Sequence, residues 1–403
     1  MAEAGDRKNS GNKQIGLGVI GCGGFGLFAL QHFTQVSGIT LAGMAATHRP
    51  AALAAAQRFG LNEVESIEEL VQRDDIDLVY IATPPFLHFE QAMAALDAGK
   101  HVICEKPLAL TIEQADEMLR RAQERDLLLV ANLVQRYNPL FDNIDRLIQS
   151  RALGEVLHGY FHNNAADEGL RPDHWFWDRL KSGGIFVEHG IHFFDLFAGW
   201  LGTGDVVAAQ AARRSSGPCR PDGTGESSAV EEQVQCAVRY GDGILVNFYH
   251  GFHQPGRLDR QELRLVFERG DVTLSEWIPT RVNIHAVASE AATRTLCELF
   301  PHARLDVTEV YPPHQRICRG RNKELDVYQM LELTCGHDQN KMHRYGQVLR
   351  SLMKDQIAWI RDRSHTCRVT SQDSRDSLAM AIAADRLIHP QESDTPANNY
   401  RNW

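Results

Sequence analysis

Residues 18–26 read GVIGCGGFG, and this stretch decides how the first third of the chain folds. The run IGLGVIG at 15–21 is apolar enough for a buried β-strand, and FGLFALQHFTQV after it has the periodicity of a helix. Gly21, Gly23 and Gly26 fit the GxGxxG spacing, which allows a tight turn and a close approach of the backbone to a pyrophosphate. The alternative is a glycine-rich strand-to-helix turn that binds nothing.

Apolar runs and helical patterns continue to alternate up to about residue 134. Four further runs are strand candidates: ITLAGMAA (39–46), DLVYIAT (77–83), HVICEKP (101–107) and LLLVANLV (127–134). Strands separated in this way by helices are typical of a parallel sheet covered on both faces. The sequence therefore predicts an α/β fold with a doubly wound Rossmann domain over residues 14–136.

The pattern changes after Asn138 and Pro139. Longer strands with alternating polarity and tight glycine turns, such as YGDG at 240–243, predict a mainly antiparallel sheet. We expect a second, α+β domain over residues 137–390, closed by helices at 342–362 and 373–387. The stretch 281–340 gives no clear prediction. The polar ends, residues 1–13 and 391–403, are predicted to be disordered tails.

Composition excludes several classes of function. The chain has 403 residues and a formal net charge of −10, which disfavours binding to nucleic acid or to an anionic membrane surface. No apolar run approaches the roughly 18 residues of a membrane span, and the polar N-terminus does not resemble a signal peptide. None of the eight cysteines belongs to a CxxC pair, so we expect reduced thiols in a cytoplasmic protein.

The end of the second strand bears on the choice of dinucleotide. NAD sites usually carry an acidic residue about 20 positions after the glycines, where it binds the ribose 2′-hydroxyl. Here the strand ends in AATHR at 45–49, and no Asp or Glu occurs between Gly26 and Asn62. Thr47 and Arg49 could instead hold a 2′-phosphate, so we expect NADP rather than NAD. Alternatively, Arg49 only begins a solvated helix.

The fourth strand runs into a loop that carries a lysine. Ligands of open α/β sheets bind beyond the carboxyl ends of the strands, and Cys104 is followed there by Glu105, Lys106 and Pro107. A lysine at this edge could exchange a proton with a substrate hydroxyl while a nicotinamide takes the hydride. Pro107 would stiffen the loop. The alternative is a lysine that is only solvated.

The stretch SGGIFVEHGIHFFDLFAGW at 182–200 supplies further polar groups. Glu188, His189, His192 and Asp195 are spaced by one, three and three residues, which predicts that they share one face of a helix. They could orient a polyol and relay its proton. Two alternatives remain: ligation of a metal, for which no separated third ligand is evident, and polar groups packed beneath a sheet. We predict no metal here.

Taken together, five segments resemble the Gfo/Idh/MocA family, the glucose-fructose oxidoreductase and inositol dehydrogenase group. They are GVIGCGGFG (18–26), IATPPFLH (81–88), ALDAGKHVICEKPLA (95–109), VQRYNP (134–139) and SGGIFVEHGIHFFD (182–195). Residues 369–388 also resemble the closing helix of the family. The resemblance implies a Rossmann domain followed by a domain with an open, mainly antiparallel sheet. It also implies a homodimer or homotetramer that assembles through that sheet.

The resemblance further implies an NAD(P)-dependent oxidoreductase that acts on a sugar, cyclitol or related polyhydroxy compound. Lys106 matches the lysine of the family's EKP loop and would be the acid/base, assisted by His192. Glu188 stands where the family usually has Asp, and with Asp195 it would hold substrate hydroxyls. Trp175 could stack on a sugar ring, and the alternative is that it packs under the sheet. The expected cofactor-binding residues are Gly21, Gly23, Gly24, Phe25, Gly26, Thr47, Arg49, Thr83, Pro84, His88, Glu105, Lys106 and Arg136.

Some residues depart from the family pattern. Pro85 replaces the usual Asn of the TPN loop, and His189 adds a second imidazole. Two other functions therefore stay open. One is a redox-neutral lyase or glycosidase that retains its cofactor, and the other is a ligand-sensing protein without catalysis.

Overall fold

The computed structural model describes residues 14–46, 49–61, 64–212, 230–241, 243–336 and 340–390. The predicted tails, residues 1–13 and 391–403, therefore lie outside the described residues, as does Thr47.

Five strands form a parallel sheet in the first third of the chain. They are β1 (Ile15–Ile20), β2 (Ile39–Ala45), β3 (Leu78–Ile81), β4 (His101–Cys104) and β5 (Leu129–Ala131). Their order is β2-β1-β3-β4-β5, and each neighbouring pair is parallel. The helices of this region are α1 (Gly24–Phe33), α2 (Arg49–Arg58), α3 (Ile67–Gln72), α4 (His88–Asp97) and α5 (Ile112–Glu124). The predicted Rossmann sheet is confirmed.

Strands β1, β3 and β5 are buried along their whole length. This burial explains why their sequences are continuous apolar runs rather than alternating ones. The fourth and fifth strands are shorter than predicted, because the chain leaves the sheet at Cys104 and at Ala131. The residues that follow them form loops at the carboxyl edge of the sheet.

A second sheet contains nine strands, and a separate hairpin contains two. In chain order the strands are β6 (Val156–Ala166), β7 (Gly204–Ala212), β8 (Gln233–Tyr240), β9 (Ile244–Gln254), β10 (Arg260–Phe267), β11 (Gly270–Ser275), β12 (Arg281–Ala288), β13 (Arg304–Val310), β14 (Ile317–Arg319), β15 (Glu324–Asp326) and β16 (Gln329–Cys335). The nine-stranded order is β13-β16-β12-β11-β10-β6-β9-β8-β7. Its pairs are antiparallel except β6 with β9, so the mainly antiparallel sheet is confirmed.

Helices cover one face of the second sheet and return to the first. They are α6 (Pro139–Ser150), α7 (Arg179–Ser182), α8 (Ile191–Leu201), α9 (Glu290–Leu299), α10 (Lys341–Arg361) and α11 (Ser371–Ile388). Helix α8 packs on the sheet through Phe194 and Phe197, whose rings contact Phe248. Helix α10 packs on α1, and Ser374 of α11 accepts a hydrogen bond from the backbone of Ala131. The two closing helices are thus confirmed.

The stretch 281–340, whose structure could not be predicted from its sequence, extends the second sheet. It contributes β12, β13 and β16 to the sheet, together with α9 and the β14–β15 hairpin. Among the described residues, no helix is both long enough and apolar enough to cross a bilayer.

Candidate active site

A cleft of about 470 Å³ opens where the carboxyl edge of the first sheet meets the second domain. One wall consists of the glycine loop, the loop after β3 and the loop after β4. The other wall comes from residues that are distant in sequence. The lining residues are Gly23, Gly24, Phe25, Gly26, Ala82, Thr83, Pro84, Pro85, Glu105, Lys106, His174, Trp175, Glu188, His192, Trp277 and Tyr345.

The glycine loop has the geometry of an anion cradle. Gly21 has a φ of +98°, and a Cβ there would lie 2.7 Å from the Ala82 carbonyl oxygen. A Cβ on Gly26 would lie 2.8 Å from the Ala82 Cβ, so this glycine allows α1 to pack closely. A Cβ on Gly23 or Gly24 would meet nothing within 4 Å, and no side chain caps α1. The open backbone at a helix N-terminus fits the pyrophosphate of a dinucleotide.

Lys106 joins the two walls of the cleft. Its Nζ donates to the Glu188 carboxylate at 2.5 Å and to the Glu188 backbone carbonyl at 2.7 Å. The two side chains are only 15% and 13% exposed, so water screens the pair weakly. The Lys106–Pro107 peptide bond is cis. An ammonium held in this way has a third proton left to donate into the cleft.

Glu105 precedes this lysine and is fixed by two buried partners. Its carboxylate accepts from the Tyr80 hydroxyl at 2.5 Å and from the Asn132 amide at 2.7 Å. Burial raises the pKa of Glu105. The carboxyl group therefore anchors the start of the loop to β3 and to the residue after β5.

His88 lies behind the cleft and does not line it. The imidazole is fully buried, with Nδ1 2.7 Å from the Pro107 carbonyl and Nε2 2.8 Å from the Thr83 carbonyl. Burial lowers the pKa of His88 to about 4, so the ring is neutral at pH 7 and donates to one of these carbonyls at a time. His88 thus connects the two loops that reach the cleft.

The polar residues between positions 188 and 195 do not share one helix face. A π-helical turn spans Phe186–Gly190, and the α-helix begins only at Ile191. This wider turn changes the angular spacing that a regular α-helix would give. Glu188 and His192 line the cleft, whereas His189 and Asp195 do not.

Asp195 of α8 is fully buried and belongs to an ion-pair network. Its carboxylate is 2.7 Å from the guanidinium of Arg136 and 3.4 Å from the hydroxyl of Ser377. Arg136 also pairs with Asp373 of α11 at 2.9 Å. Burial raises the pKa of Asp195 to about 7, although Arg136 opposes this rise. Neither Asp195, expected at the substrate, nor Arg136, expected at the cofactor, reaches the cleft lining.

His192 faces Lys106 as a neutral imidazole. The residue is 3% exposed, and its Nδ1 has no hydrogen-bond partner among the described residues. Burial, the positive charge of Lys106 and the nearby His250 together lower the pKa of His192 well below its usual value. A neutral ring can accept or donate one hydrogen bond.

Trp277 forms a wall of the cleft that the sequence did not predict. Its indole lies 4.3 Å from the ring of His189 and 4.9 Å from that of His192, measured between centroids. His189 is held in turn by His250, with 3.2 Å between their Nδ1 atoms. Tyr345 of α10 lines the cleft together with Trp277. Trp277 follows β11 in a short turn, and no motif marks it as a site residue.

Tyr345 connects this wall to the glycine loop. Its ring lies 5.6 Å from that of Phe25, which is 37% exposed, and 5.4 Å from that of Phe28. Trp175 also reaches the cleft, as predicted from the sequence, and its ring lies 5.1 Å from His174. The cleft therefore combines aromatic faces with the polar groups of Lys106, Glu188 and His192.

The region of the expected 2′-phosphate contacts is described only in part. Thr47 lies outside the described residues, and only the helical backbone of Arg49 is described. Glu65 is the acidic residue that forms a β-bridge with Ala45 at the end of β2. Its carboxylate is already bound by Arg73, whose Nη1 lies 2.9 Å from Oε1 and 3.0 Å from Oε2.

A Rossmann sheet with an open glycine loop at its carboxyl edge places the chain in the class of proteins with a Rossmann-type dinucleotide-binding domain. The chain belongs to the Gfo/Idh/MocA family of oxidoreductases. The family model for an oxidoreductase with an NAD-binding Rossmann fold matches residues 15–133, and that for the GFO/IDH/MocA C-terminal domain matches residues 141–273.

Three known proteins illustrate the relationship. The 1,5-anhydro-D-fructose reductase of Ensifer adhaerens is 33% identical over 191 residues, which are 47% of this chain and 54% of the reductase. The 2,7-anhydro-N-acetylneuraminate hydratase of Mediterraneibacter gnavus is 28% identical over 183 residues, 45% of this chain and 48% of the hydratase. The chain thus spans about half the length of these curated relatives. The Lactobacillus casei scyllo-inositol dehydrogenase structure with NAD(H) and scyllo-inositol has a TM-score of 0.67 and 20% identity, and the match covers 94% of this chain and 98% of that one.

Proposed function

We propose that this protein is a nicotinamide-dependent oxidoreductase that interconverts a secondary alcohol and a ketone on a sugar or cyclitol. The observation that carries the proposal is the position of Lys106. Its ammonium stands in the cleft beside the open glycine loop, held by Glu188 and facing His192. A base within hydrogen-bond reach of the reacting oxygen is what alcohol oxidation requires.

In this proposal Lys106 donates a proton to the reacting oxygen or accepts one from it, depending on the direction of the reaction. The bound nicotinamide would supply or accept the hydride. In the reductive direction the ammonium donates a proton to the carbonyl oxygen, and in the oxidative direction the neutral amine accepts the proton of the hydroxyl. Glu188 stabilises the ammonium and orients it. His192, being neutral, would hold a neighbouring hydroxyl and align the reacting carbon.

The aromatic faces support a ring-shaped polyhydroxy substrate. Trp175 and Trp277 present indole rings to the cleft, and the C–H faces of sugars and cyclitols pack well on such rings. The polar groups at Lys106, Glu188 and His192 would bind hydroxyls at the ring edge. The names of the anhydrofructose reductase and of the scyllo-inositol dehydrogenase agree with this class of substrate.

For the cofactor we propose NADP rather than NAD. The sequence has no acidic residue between Gly26 and Asn62, and the carboxylate of Glu65 is bound by Arg73. A 2′-phosphate would therefore meet little repulsion at the end of β2, and Thr47 and Arg49 would hold it.

A redox-neutral reaction is the second candidate. The relative from Mediterraneibacter gnavus is named a hydratase, which describes a reaction without net oxidation. Such an enzyme would consume substrate with no net change in nicotinamide absorbance and would keep its nucleotide through purification.

We also propose that the protein is cytoplasmic and assembles through the outer face of its second sheet. The described cysteines are all free thiols, which suits a reducing compartment. The outer face exposes apolar side chains at Leu157, Val207 and Leu245, and a second copy of the sheet could cover them.

An activity screen on protein freed of bound nucleotide tests the main proposal. A panel of cyclitols, aldoses and polyols is screened with NADP⁺ and with NAD⁺, following nicotinamide absorbance. Lys106→Ala and His192→Ala should lose most turnover while the cofactor dissociation constant stays within a few-fold of wild type. Lys323→Ala, in the hairpin away from the cleft, is the matched control. Undiminished turnover in Lys106→Ala would exclude the assigned role.

A further inference from the structure

A cluster of three potential metal ligands lies at the far end of α10, outside the cleft. Asp355 projects from the helix, and the loop between α10 and α11 turns back over it with His365 and Cys367. One ligand atom from each residue lies within 4.8 Å of the other two. The cluster is ten residues beyond Tyr345, about 15 Å along the helix.

We propose that Asp355, His365 and Cys367 form a binding site for a divalent cation of the zinc class, with water as the fourth ligand. A carboxylate oxygen, an imidazole nitrogen and a thiolate sulfur are the three donor types that proteins offer to zinc. Magnesium and calcium prefer oxygen donors alone, so the thiol and the imidazole exclude them.

The carboxylate of Asp355 is already oriented by groups behind it. Its Oδ2 accepts from the Tyr137 hydroxyl at 2.6 Å and from the Arg368 backbone N–H at 2.8 Å. Gln356 donates to the same tyrosine hydroxyl at 3.1 Å. The remaining oxygen, Oδ1, faces His365 Nε2 at 2.7 Å. Outer partners of this kind fix metal-binding carboxylates in known sites.

Binding requires a small rearrangement of the loop. Donor atoms about 2.0–2.3 Å from a tetrahedral zinc lie roughly 3.3–3.8 Å from one another. Oδ1 of Asp355 and Nε2 of His365, now 2.7 Å apart, must therefore separate slightly to admit the cation, and all three donor atoms, now within 4.8 Å of one another, adjust to this spacing. His365 must carry its proton on Nδ1 to offer Nε2, and Cys367 releases its thiol proton to water. The His365 side chain is 35% exposed and that of Asp355 15%, which leaves a path for the cation and a water.

The role of Cys367 separates this proposal from a simple Asp–His ion pair. In the ion pair alone the thiol contributes little, since its Sγ lies 3.8 Å from the Asp355 carbonyl oxygen, a weak hydrogen bond. In the cation site the thiolate is a ligand that favours cations of the zinc class over magnesium and calcium. A bound cation would fasten the α10–α11 loop to α10 and stabilise the fold without entering the reaction.

Cobalt(II) spectroscopy tests the site on the full chain after dialysis against a chelator. A thiolate ligand gives a sulfur-to-cobalt charge-transfer band in the near ultraviolet, and zinc should displace it. We expect saturation at one equivalent in wild type and in the control Cys335→Ser, whose thiol is half-buried on β16. Cys367→Ser should lose the band. An absent band in wild type, or a band that persists in Cys367→Ser, would overturn the proposal.

Thermal unfolding supplies a second readout, which depends neither on the cobalt absorption band nor on enzymatic activity. Zinc should raise the melting temperature of wild type and of Cys335→Ser, but not that of Cys367→Ser or His365→Asn. Equal shifts in all four proteins would place the cation elsewhere. His365 is partly exposed, so His365→Asn keeps the test usable if the cysteine variant folds poorly.

Discussion

Glu188 holds the ammonium of Lys106 through both its carboxylate and its backbone carbonyl, although the two residues are 82 positions apart. The contact joins the loop after β4 to the π-helical turn before α8. The longer side chain of glutamate allows the carboxylate to reach Nζ directly, at 2.5 Å. The proposed acid/base is therefore positioned by the second domain rather than by its own loop.

Replacing Glu188 by Gln tests this dependence. The amide oxygen can still accept from Lys106, but the negative charge that stabilises the ammonium is lost. We expect kcat to fall about tenfold to hundredfold with cofactor affinity unchanged, because the ammonium loses the partner that orients it. Steady-state kinetics and a cofactor titration measure the two quantities. Glu298→Gln, on the exposed side of α9, is the control, and a Glu188→Gln variant with the wild-type kcat would contradict the assignment.

Alanine substitutions at Gly23 and at Gly26 are predicted to affect different properties of the protein, nucleotide binding in the first case and stability in the second. Gly23 has a φ of −68°, which alanine adopts freely, and its Cβ would point into open space. Gly23→Ala should change the free energy of unfolding by less than about 1 kcal/mol. It should weaken nucleotide binding tenfold or more, because the methyl group would fill the space in which we propose that the pyrophosphate binds.

Gly26→Ala should have the opposite effect: it should lower the free energy of unfolding and change nucleotide binding less than Gly23→Ala does. Its Cβ would lie 2.8 Å from that of Ala82, so α1 must shift away from the loop after β3. Overpacking of this kind costs about 1–3 kcal/mol. Chemical denaturation and nucleotide titration on both variants separate the two effects. If the Gly23→Ala variant bound nucleotide as tightly as wild type, the glycine loop would not be the pyrophosphate-binding site.

Local sequence patterns predicted the features that depend on local chemistry. The five parallel strands, the glycine turn and the loop that carries Lys106 each occupy a continuous segment whose apolar run or turn residues determine it. The sequence also placed Glu188, His192 and Trp175 at the cleft.

Features that depend on distant packing could not be predicted in this way. A π-helical turn before α8 changed the angular spacing of Glu188 and His189 relative to the residues of α8, and the Asp195 carboxylate of α8 pairs with Arg136 away from the cleft. Trp277 and Tyr345 meet across nearly seventy residues, and only the fold of the second sheet and the return of α10 bring them together.

Trp277 is expected to select ring-shaped substrates. Trp277→Ala should raise KM for a cyclitol or a pyranose about threefold to tenfold, the effect of losing an aromatic contact of about 0.5–1.5 kcal/mol. An acyclic polyol that presents the same hydroxyl groups should be little affected. The ratio of the two kcat/KM values is the measurement. Trp359→Phe, packed under Arg363 and away from the cleft, is the control. Equal losses for both substrates would indicate a structural role only.

His250 should contribute to acid sensitivity of the fold. The ring is fully buried among Phe161, Phe186 and Phe193, and burial lowers its pKa from 6.5 to about 3. Between these values the unfolded chain binds a proton that the folded chain does not. Stability is therefore complete above pH 6.5 and is lost as pH falls toward 3, by roughly 1 kcal/mol per pH unit from this group. In His250→Phe this contribution is absent, so urea denaturation between pH 4 and 6.5 should give a shallower pH dependence than in wild type. His250 also lowers the pKa of His189 and of His192, so its removal makes these two residues less acid-sensitive and acts in the same direction. Parallel curves would therefore mean that His250 has the same pKa in the folded and unfolded states.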